Sequence, residues 1–221
     1  MIYLVGVGPG DPELITDKGK RLIESADIVV GWGSVVERFS NIIKGDIVKL
    51  EYKSEREQLD NVIDKGRTQK VVILDHGDPS VSDWQFIEKI KERCRIRDLP
   101  LEITPGVSSL NYALSREGID MATIIFFTLH VRGDVNKYLE QAVEISRIGR
   151  TIALIPEPYA DGPSRVAKYF LSKGIKFRAV VYQRLSYPDE KREEFLDEDL
   201  ANTLEKFSDL TFMFIYPLQR H

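Results

Sequence analysis

The sequence is short of cysteine: Cys94 is the one such residue in 221. It cannot form an internal disulfide, so nothing points to an oxidising compartment, and a cytoplasmic location is the default. The chain lacks any apolar run long enough to cross a bilayer. Its first strand meets a Gly-Pro turn after a few residues, so no signal peptide and no membrane partner are expected. It also lacks a basic excess. Lys+Arg number 31 against Asp+Glu 35, a formal charge of -4, which argues against a nucleic-acid partner. Histidine is scarce too. His76 and His130 are the internal ones, and neither stands with Cys94 or with paired carboxylates at ligand spacing, so no protein-bound metal is expected. There is no internal repeat and no low-complexity tract. What is present is ordinary for a globular protein, 43% hydrophobic and 30% charged, in a chain long enough for one large core or two small ones.

The most informative segment comes first. Residues 2–7 are strand-like and run into Gly8-Pro9-Gly10-Asp11 and then a helical stretch. Gly6 and Gly8 after an apolar strand suggest a dinucleotide turn, but that fingerprint needs glycine where Asp11 stands. It also wants an acidic residue closing the second strand, and residues 27–30 run out into Gly31-Trp32 instead.

Further strand-like runs are residues 47–50, 71–74 and 101–103, separated by amphipathic stretches such as 55–64 and 84–94. Strands that are apolar throughout and alternate with helices predict a buried parallel sheet flanked by helices. A turn and helix over 105–118 end at Gly118, and the rhythm then changes. Strands are predicted at 124–127, 151–155, 178–183 and 210–216. Helices carry Val135, Tyr138, Leu139, Ala142 and Val143, then Val166, Ala167, Phe170 and Leu171. The acidic stretch 189–199 reads as an exposed loop or a short helix. The fold class is therefore α/β, in two α/β domains, 1–115 and 116–221.

Ligands in an open parallel sheet bind outside the carboxyl ends of its strands. Three Gly/Pro turns fall there: Gly8-Pro9-Gly10-Asp11, His76-Gly77-Asp78-Pro79 and Thr104-Pro105-Gly106-Val107-Ser108-Ser109. One such turn is ordinary strand-to-helix chemistry; three on one rim suggest a site. Asp78 could face a ligand, cap the following helix or brace its own turn. Asp11 has the same ambiguity, and Thr16 reads as a helix cap.

These three segments, in this order and at these intervals, resemble the signatures of the tetrapyrrole methylase family. The resemblance implies S-adenosylmethionine as cofactor, and a cofactor cleft between two α/β domains that do not have the Rossmann-type methyltransferase fold. It also implies a homodimer. Residues 26–34, Ala-Asp-Ile-Val-Val-Gly-Trp-Gly-Ser, are similar to the branch that methylates C5 of cobalt-precorrin-7 in cobalamin biosynthesis. Residues 128–133 match that branch loosely, since Arg132 and Gly133 stand in exchanged order. Two other positions depart from it: the branch often carries glycine near Asp83, and a Glu–Asn-type pair where Gln183-Arg184 stands.

Carried over position by position, the resemblance implies that Pro9, His76, Gly77, Asp78, Val81, Ser108 and Ser109 line the cofactor site. Pro156 and Leu185 would close over the adenosine. The implied reaction is direct, with a nucleophilic macrocycle carbon attacking the sulfonium methyl in line, so no protein nucleophile is needed. No base is assigned, with Asp11 a candidate. Corrin precursors carry many carboxylates, and Arg38, Lys53, Arg56 and Arg132 are the candidate cations for them. A two-domain chain leaves no room for a second methyltransferase domain, so a companion C15 methylation and decarboxylation would fall to a separate protein. The rivals are methylation at another tetrapyrrole position, a non-tetrapyrrole acceptor such as RNA or a diphthamide precursor, an NAD-dependent oxidoreductase, and a non-catalytic binding protein.

Overall fold

The apolar runs of the first half lie side by side in the computed structural model of the protein, which describes residues 1–218. β1 (Ile2–Gly6), β2 (Ile28–Trp32), β3 (Asp46–Leu50), β4 (Val71–Asp75) and β5 (Leu101–Thr104) make one sheet in the order β3-β2-β4-β1-β5. Every pairing in it is parallel. The helices between them are α1 (Asp17–Glu24), α2 (Gly33–Glu37), α3 (Glu55–Lys65) and α4 (Trp84–Ile96). Side chains alternate across the strands, so each face builds its own core. Ile2, Leu4, Val30 and Ile73 pack with Leu59 and Ile63 of α3 and with Phe86, Ile90 and Cys94 of α4. Val5, Val29, Val72 and Leu74 pack with Leu22 and Ile23 of α1 and with Val35 and Val36 of α2. Cys94 is thus a core side chain, and burial pushes its thiol pKa up. The register levels the strand ends: Gly6 stands beside Asp75, and Val5 beside Thr104. The connecting loops therefore leave from one rim.

The chain divides into two compact units, Met1–Ser109 and a second from Leu110 onward. In the second half come α5 (Ser109–Glu117), β6 (Ile124–Thr128), α6 (Asn136–Arg147), β7 (Thr151–Ile155), α7 (Gly162–Ser172) and β8 (Phe177–Gln183). β9 (Lys191–Leu196), α8 (Asp197–Asn202) and β10 (Thr211–Pro217) complete it. This sheet is mixed, in the order β6-β7-β10-β8-β9. β6 and β7 are parallel, and β10 runs antiparallel to both of its neighbours, β7 and β8. It follows that β6, β7 and β8 share one direction and end at one edge. Its core joins Leu139, Ala142 and Val143 of α6 to Val166, Ala167 and Phe170 of α7 and to Leu200 of α8.

The acidic stretch 189–199 departs from expectation: it holds strand β9 and only then the first turn of α8. The strand forms because Phe195 reaches the core while cross-strand pairs absorb the charges, as between Arg178 and Glu194 at 3.1 Å. Among the described residues no helix is long and apolar enough to cross a membrane.

Candidate functional site

The three Gly/Pro loops of the first unit interlock through their backbones. Gly8 and Gly77 form an antiparallel bridge, each N–H donating to the other's carbonyl at 3.2 and 3.0 Å. A Cβ placed on Gly6 would sit 2.7 Å from Gly106 N, Gly77 O and Pro79 Cδ alike. One on Gly106 would sit 2.3 Å from Gly77 O and 2.6 Å from Gly6 C. No side chain fits either position, so glycine is dictated by contact between chain segments. Gly8 (φ 83) and Gly77 (φ 76) also hold left-handed backbone.

Side chains then lock the junction. Asp78 accepts from its own turn, Ser80 N at 2.7 Å, and across to the β5 loop, Gly106 N at 3.2 Å. It braces its own turn, as one of the open readings held, and also ties two loops together. Asp11 caps the short 3-10 turn Pro12–Leu14 by accepting from Glu13 N at 2.8 Å, and Thr16 caps α1 by accepting from Gly19 N at 3.0 Å. Arg38, at the end of α2, donates to the carbonyls of Gly8 and Gly10 at 3.3 and 2.8 Å. Its guanidinium thus buttresses the β1 loop, a role the sequence did not suggest.

On this rim Pro9, Gly77 and Ser108 are buried, while His76, Asp78, Val81 and Ser109 are half-buried. A Cβ on Gly77 would lie 3.7 Å from Ser108 Cα and 3.8 Å from Ser109 N, so the first unit does bring these residues together. Asp75, at the tip of β4, is 4% exposed. Burial first, and then the neighbouring Asp83 carboxyl, hold its pKa well above the usual carboxylate range. Ser82, beside Asp83, adopts φ 81, backbone that glycine favours. The departure from a glycine-bearing pattern noted at this place therefore falls on a strained residue.

Lys53 and Arg56 are exposed and follow the carboxyl end of β3. They share the rim but lie three strands from β1, about 14 Å at the usual spacing. Between them and the glycine loops stands a pair that sequence reasoning missed. Trp32, at the end of β2, stacks on Tyr52 with ring centroids 4.5 Å apart.

In the second unit the three named residues also gather at one end of a sheet. Arg132 follows β6, Pro156 follows β7 and Leu185 follows β8, at the shared carboxyl edge. Arg132 is exposed; Pro156 and Leu185 are buried. Leu185 is clamped between two left-handed non-glycine residues, Arg184 (φ 54) and Ser186 (φ 62). Arg184 N donates to Leu210 O at 2.8 Å, and Ser186 N donates to Glu190 Oε2 at 2.6 Å. Nothing in the residue types at 184–186 signals this turn.

Gln183 beside it is buried. Its amide nitrogen donates to Glu205 Oε1 at 2.8 Å and its oxygen accepts from Ser208 N at 2.9 Å. Further along β8 and β9 the Tyr182 hydroxyl donates to Glu117, which also accepts from Arg192 Nε at 2.8 Å. Burial alone raises the Glu117 pKa, but the hydrogen bonds from Arg192 and Tyr182 outweigh it and hold the carboxyl below its ordinary value. Among the described residues no group of three or more His, Cys, Asp or Glu could hold a metal ion.

The family model of the tetrapyrrole (corrin/porphyrin) methylases matches residues 1–201. A probable cobalt-precorrin-7 C(5)-methyltransferase of Methanocaldococcus jannaschii is 27% identical over 200 residues, 86% of this chain and 87% of that protein. The cobalt-precorrin-4 C(11)-methyltransferase of the same organism is 40% identical over 115 residues, 49% of this chain. In two of the matches the aligned stretch spans only 26% and 43% of the relative's own length. Among solved structures, uroporphyrin-III C-methyl transferase from Thermus thermophilus complexed with S-adenyl homocysteine is 25% identical with a TM-score of 0.76. That likeness covers 97% of this chain and 96% of that one.

Proposed function

This chain belongs to the tetrapyrrole (corrin/porphyrin) methylases, and we propose that it methylates C5 of a cobalt-corrin precursor, cobalt-precorrin-7, in cobalamin biosynthesis, with S-adenosylmethionine as donor. The observation that carries the reading is the interlock of the β1, β4 and β5 loops. It consumes the amides that a pyrophosphate cradle would offer: Gly8 N and Gly77 N bond each other's loops, and Gly106 N and Ser80 N bond Asp78. A carboxylate, Asp78, follows directly on the bridged Gly77. Such a rim repels a dinucleotide and suits a cation, which counts against the oxidoreductase reading.

The residues present fit a sulfonium nucleoside. Pro9 and Val81 offer apolar surface, Asp78 supplies a fixed negative charge, and the Thr104 hydroxyl is buried without a hydrogen-bond partner among the described residues. His76, Gly77, Ser108 and Ser109 would complete the first unit's contribution, and in the second unit the same assignment falls on Pro156 and Leu185. The cofactor, when bound, supplies an electrophilic methyl group. The protein's part is to hold the loops rigid, keep water from the methyl and set an approach of roughly 3–3.5 Å, alignment worth several kcal/mol of barrier. Neither Asp11 nor Asp78 is free of backbone duty, and both are better read as positioning groups than as bases.

C5 is favoured over other positions by residues 26–34; the C5 relative and a cobalt-precorrin-4 C(11)-methyltransferase of Priestia megaterium each match along most of both chains. The C(11)-methyltransferase match is the observation behind the second reading, methylation elsewhere on the same macrocycle. A homodimer, a cytoplasmic location and a separate C15-methylating partner remain part of the proposal. The test is to titrate the protein with S-adenosylmethionine, S-adenosylhomocysteine and NAD, then incubate it with cobalt-precorrins and follow mass by methyl increments. Binding of NAD without binding of either S-adenosyl ligand would overturn the proposal. Methyl gain on cobalt-precorrin-4 and none on cobalt-precorrin-7 would replace C5 by C11.

A further inference from the structure

We propose that the stacked pair Trp32–Tyr52 is a platform for the flat face of the tetrapyrrole, and that Lys53 and Arg56 beside it receive the macrocycle's carboxylates; this rests on the tetrapyrrole reading above. Trp32 is anchored from below, packing against both cores of the first unit. Tyr52 lies over it at an interplanar angle of 29° and is nonetheless 82% exposed. One face of the tyrosine ring is thus held by the tryptophan while the remainder is open to solvent. Rings are planar, polarisable and have few torsions to freeze, so a held and exposed pair is well suited to stack on a conjugated ligand.

The position matters as much as the chemistry. Trp32 directly precedes α2, and Arg38 directly follows it and grips the Gly8 and Gly10 carbonyls. Five helical residues rise about 8 Å, so the platform is fixed to the β1 loop by one short rigid element. Lys53 and Arg56 follow Tyr52 within four positions and are exposed, whereas Glu55 between them is buried and bonded to Lys89 Nζ at 2.6 Å. The local cations therefore face solvent while the intervening acid is neutralised inside. Exposed Glu51 and Glu57 flank the segment, so the charge complement to a polycarboxylate macrocycle is confined to Lys53 and Arg56 themselves.

The experiment uses Trp84→Phe protein, so that Trp32 is the one tryptophan and its fluorescence reports the platform. S-adenosylhomocysteine binding is measured first by calorimetry, then uroporphyrin III is titrated in the presence and absence of that ligand. Quenching of Trp32 emission is expected on porphyrin binding. Tyr52→Ala should weaken porphyrin binding about ten-fold, Tyr52→Phe should restore it, and both should bind S-adenosylhomocysteine as the parent does. Lys53→Ala with Arg56→Ala should weaken porphyrin binding further and flatten its salt dependence. If the parent binds porphyrin and Tyr52→Ala binds it equally well, the platform is wrong while the tetrapyrrole reading stands. If the parent binds S-adenosylhomocysteine but neither uroporphyrin III nor a cobalt-precorrin, both fall together.

Discussion

Substituting Gly106 by alanine tests the loop interlock most directly. The added methyl would stand 2.3 Å from Gly77 O, 2.6 Å from Gly6 C and 2.7 Å from Gly6 O, all backbone atoms. Ordinary contact begins near 3.4 Å, so the β5 loop must retreat by about 1 Å from both neighbours at once. Such overpacking costs about 1–3 kcal/mol. For a unit of this size that corresponds to a fall in its melting temperature of about 4–12 °C. The movement also stretches the Gly106 N to Asp78 hydrogen bond, already 3.2 Å, and frees the Asp78 carboxylate to swing. Displacements of this size around a reacting centre cost up to about a hundred-fold in rate.

The assay pairs thermal unfolding with calorimetry of S-adenosylhomocysteine, and Gly118→Ala serves as control. Gly118 has φ 64 but nothing within 4 Å of an added Cβ, so its substitution carries backbone strain and no clash. The control should lose stability modestly and keep its cofactor affinity; Gly106→Ala should lose both. If Gly106→Ala melted within 2 °C of the parent and bound the ligand equally, the reasoning from close backbone contact would be refuted.

Three other outcomes follow from particular groups. Asp78→Asn keeps the shape but can no longer accept from Ser80 N and Gly106 N as an anion; it should destabilise the first unit by about 1–3 kcal/mol in urea unfolding and weaken binding of S-adenosylmethionine more than of its neutral-sulfur product. Asp75 has its pKa raised in the fold, so the native state holds that proton to higher pH than the unfolded chain does, and stability is lost as pH rises above the unfolded pKa toward the folded one. Asp75→Asn should therefore gain on the parent steadily as pH rises above the ordinary carboxylate range, and a stability difference independent of pH would contradict the assignment. Glu117 is the opposite case: its depressed pKa makes a contribution that is present above the unfolded pKa and lost as pH falls through the folded one. Arg192→Leu should cost about 1–3 kcal/mol at neutral pH, reduced because Arg192 is 38% exposed, and Glu117→Gln in the same chain should recover part of it in a double-mutant cycle.

Much of the first unit was legible because its signals reinforce one another. Residues 71–74 are four apolar side chains in a row, which only a strand covered on both faces accommodates, and β4 is buried throughout. The Gly/Pro turns were legible for a related reason: a parallel sheet sends its loops to one rim whatever the details of its helices. Illegible were the reasons for each glycine. Gly6 and Gly106 are required by each other and by Gly77, residues 71 and 29 positions away from Gly77 in sequence, so no local pattern announces them. Arg38 escaped likewise. An arginine ending a short amphipathic turn looks like solvated surface, and only the path of the β1 loop turns its guanidinium onto two carbonyls.

The second unit was read less well because its sheet is mixed, and antiparallel strands advertise themselves by alternation that charges can conceal. β9 reads Lys-Arg-Glu-Glu-Phe-Leu, four charged residues before one inward aromatic and an exposed leucine, so it shows no apolar period to find. Its stability lies in partners: Arg192 on Glu117, Arg178 on Glu194, and Gln183 between the carboxyls of Glu205 and Glu193. The same applies to the turn at 184–186, where left-handed backbone at two non-glycine residues costs of order 1–3 kcal/mol each. That cost is tolerated because the Arg184 and Ser186 amides are both bonded and Leu185 between them is buried. Strain that the fold maintains at the carboxyl edge of β6, β7 and β8 sets the direction of one apolar side chain. If that direction serves the adenosine, Ser186→Gly should relax the turn, leave or raise the melting temperature and yet weaken S-adenosylhomocysteine binding several-fold; unchanged binding would make Leu185 a core residue and nothing more.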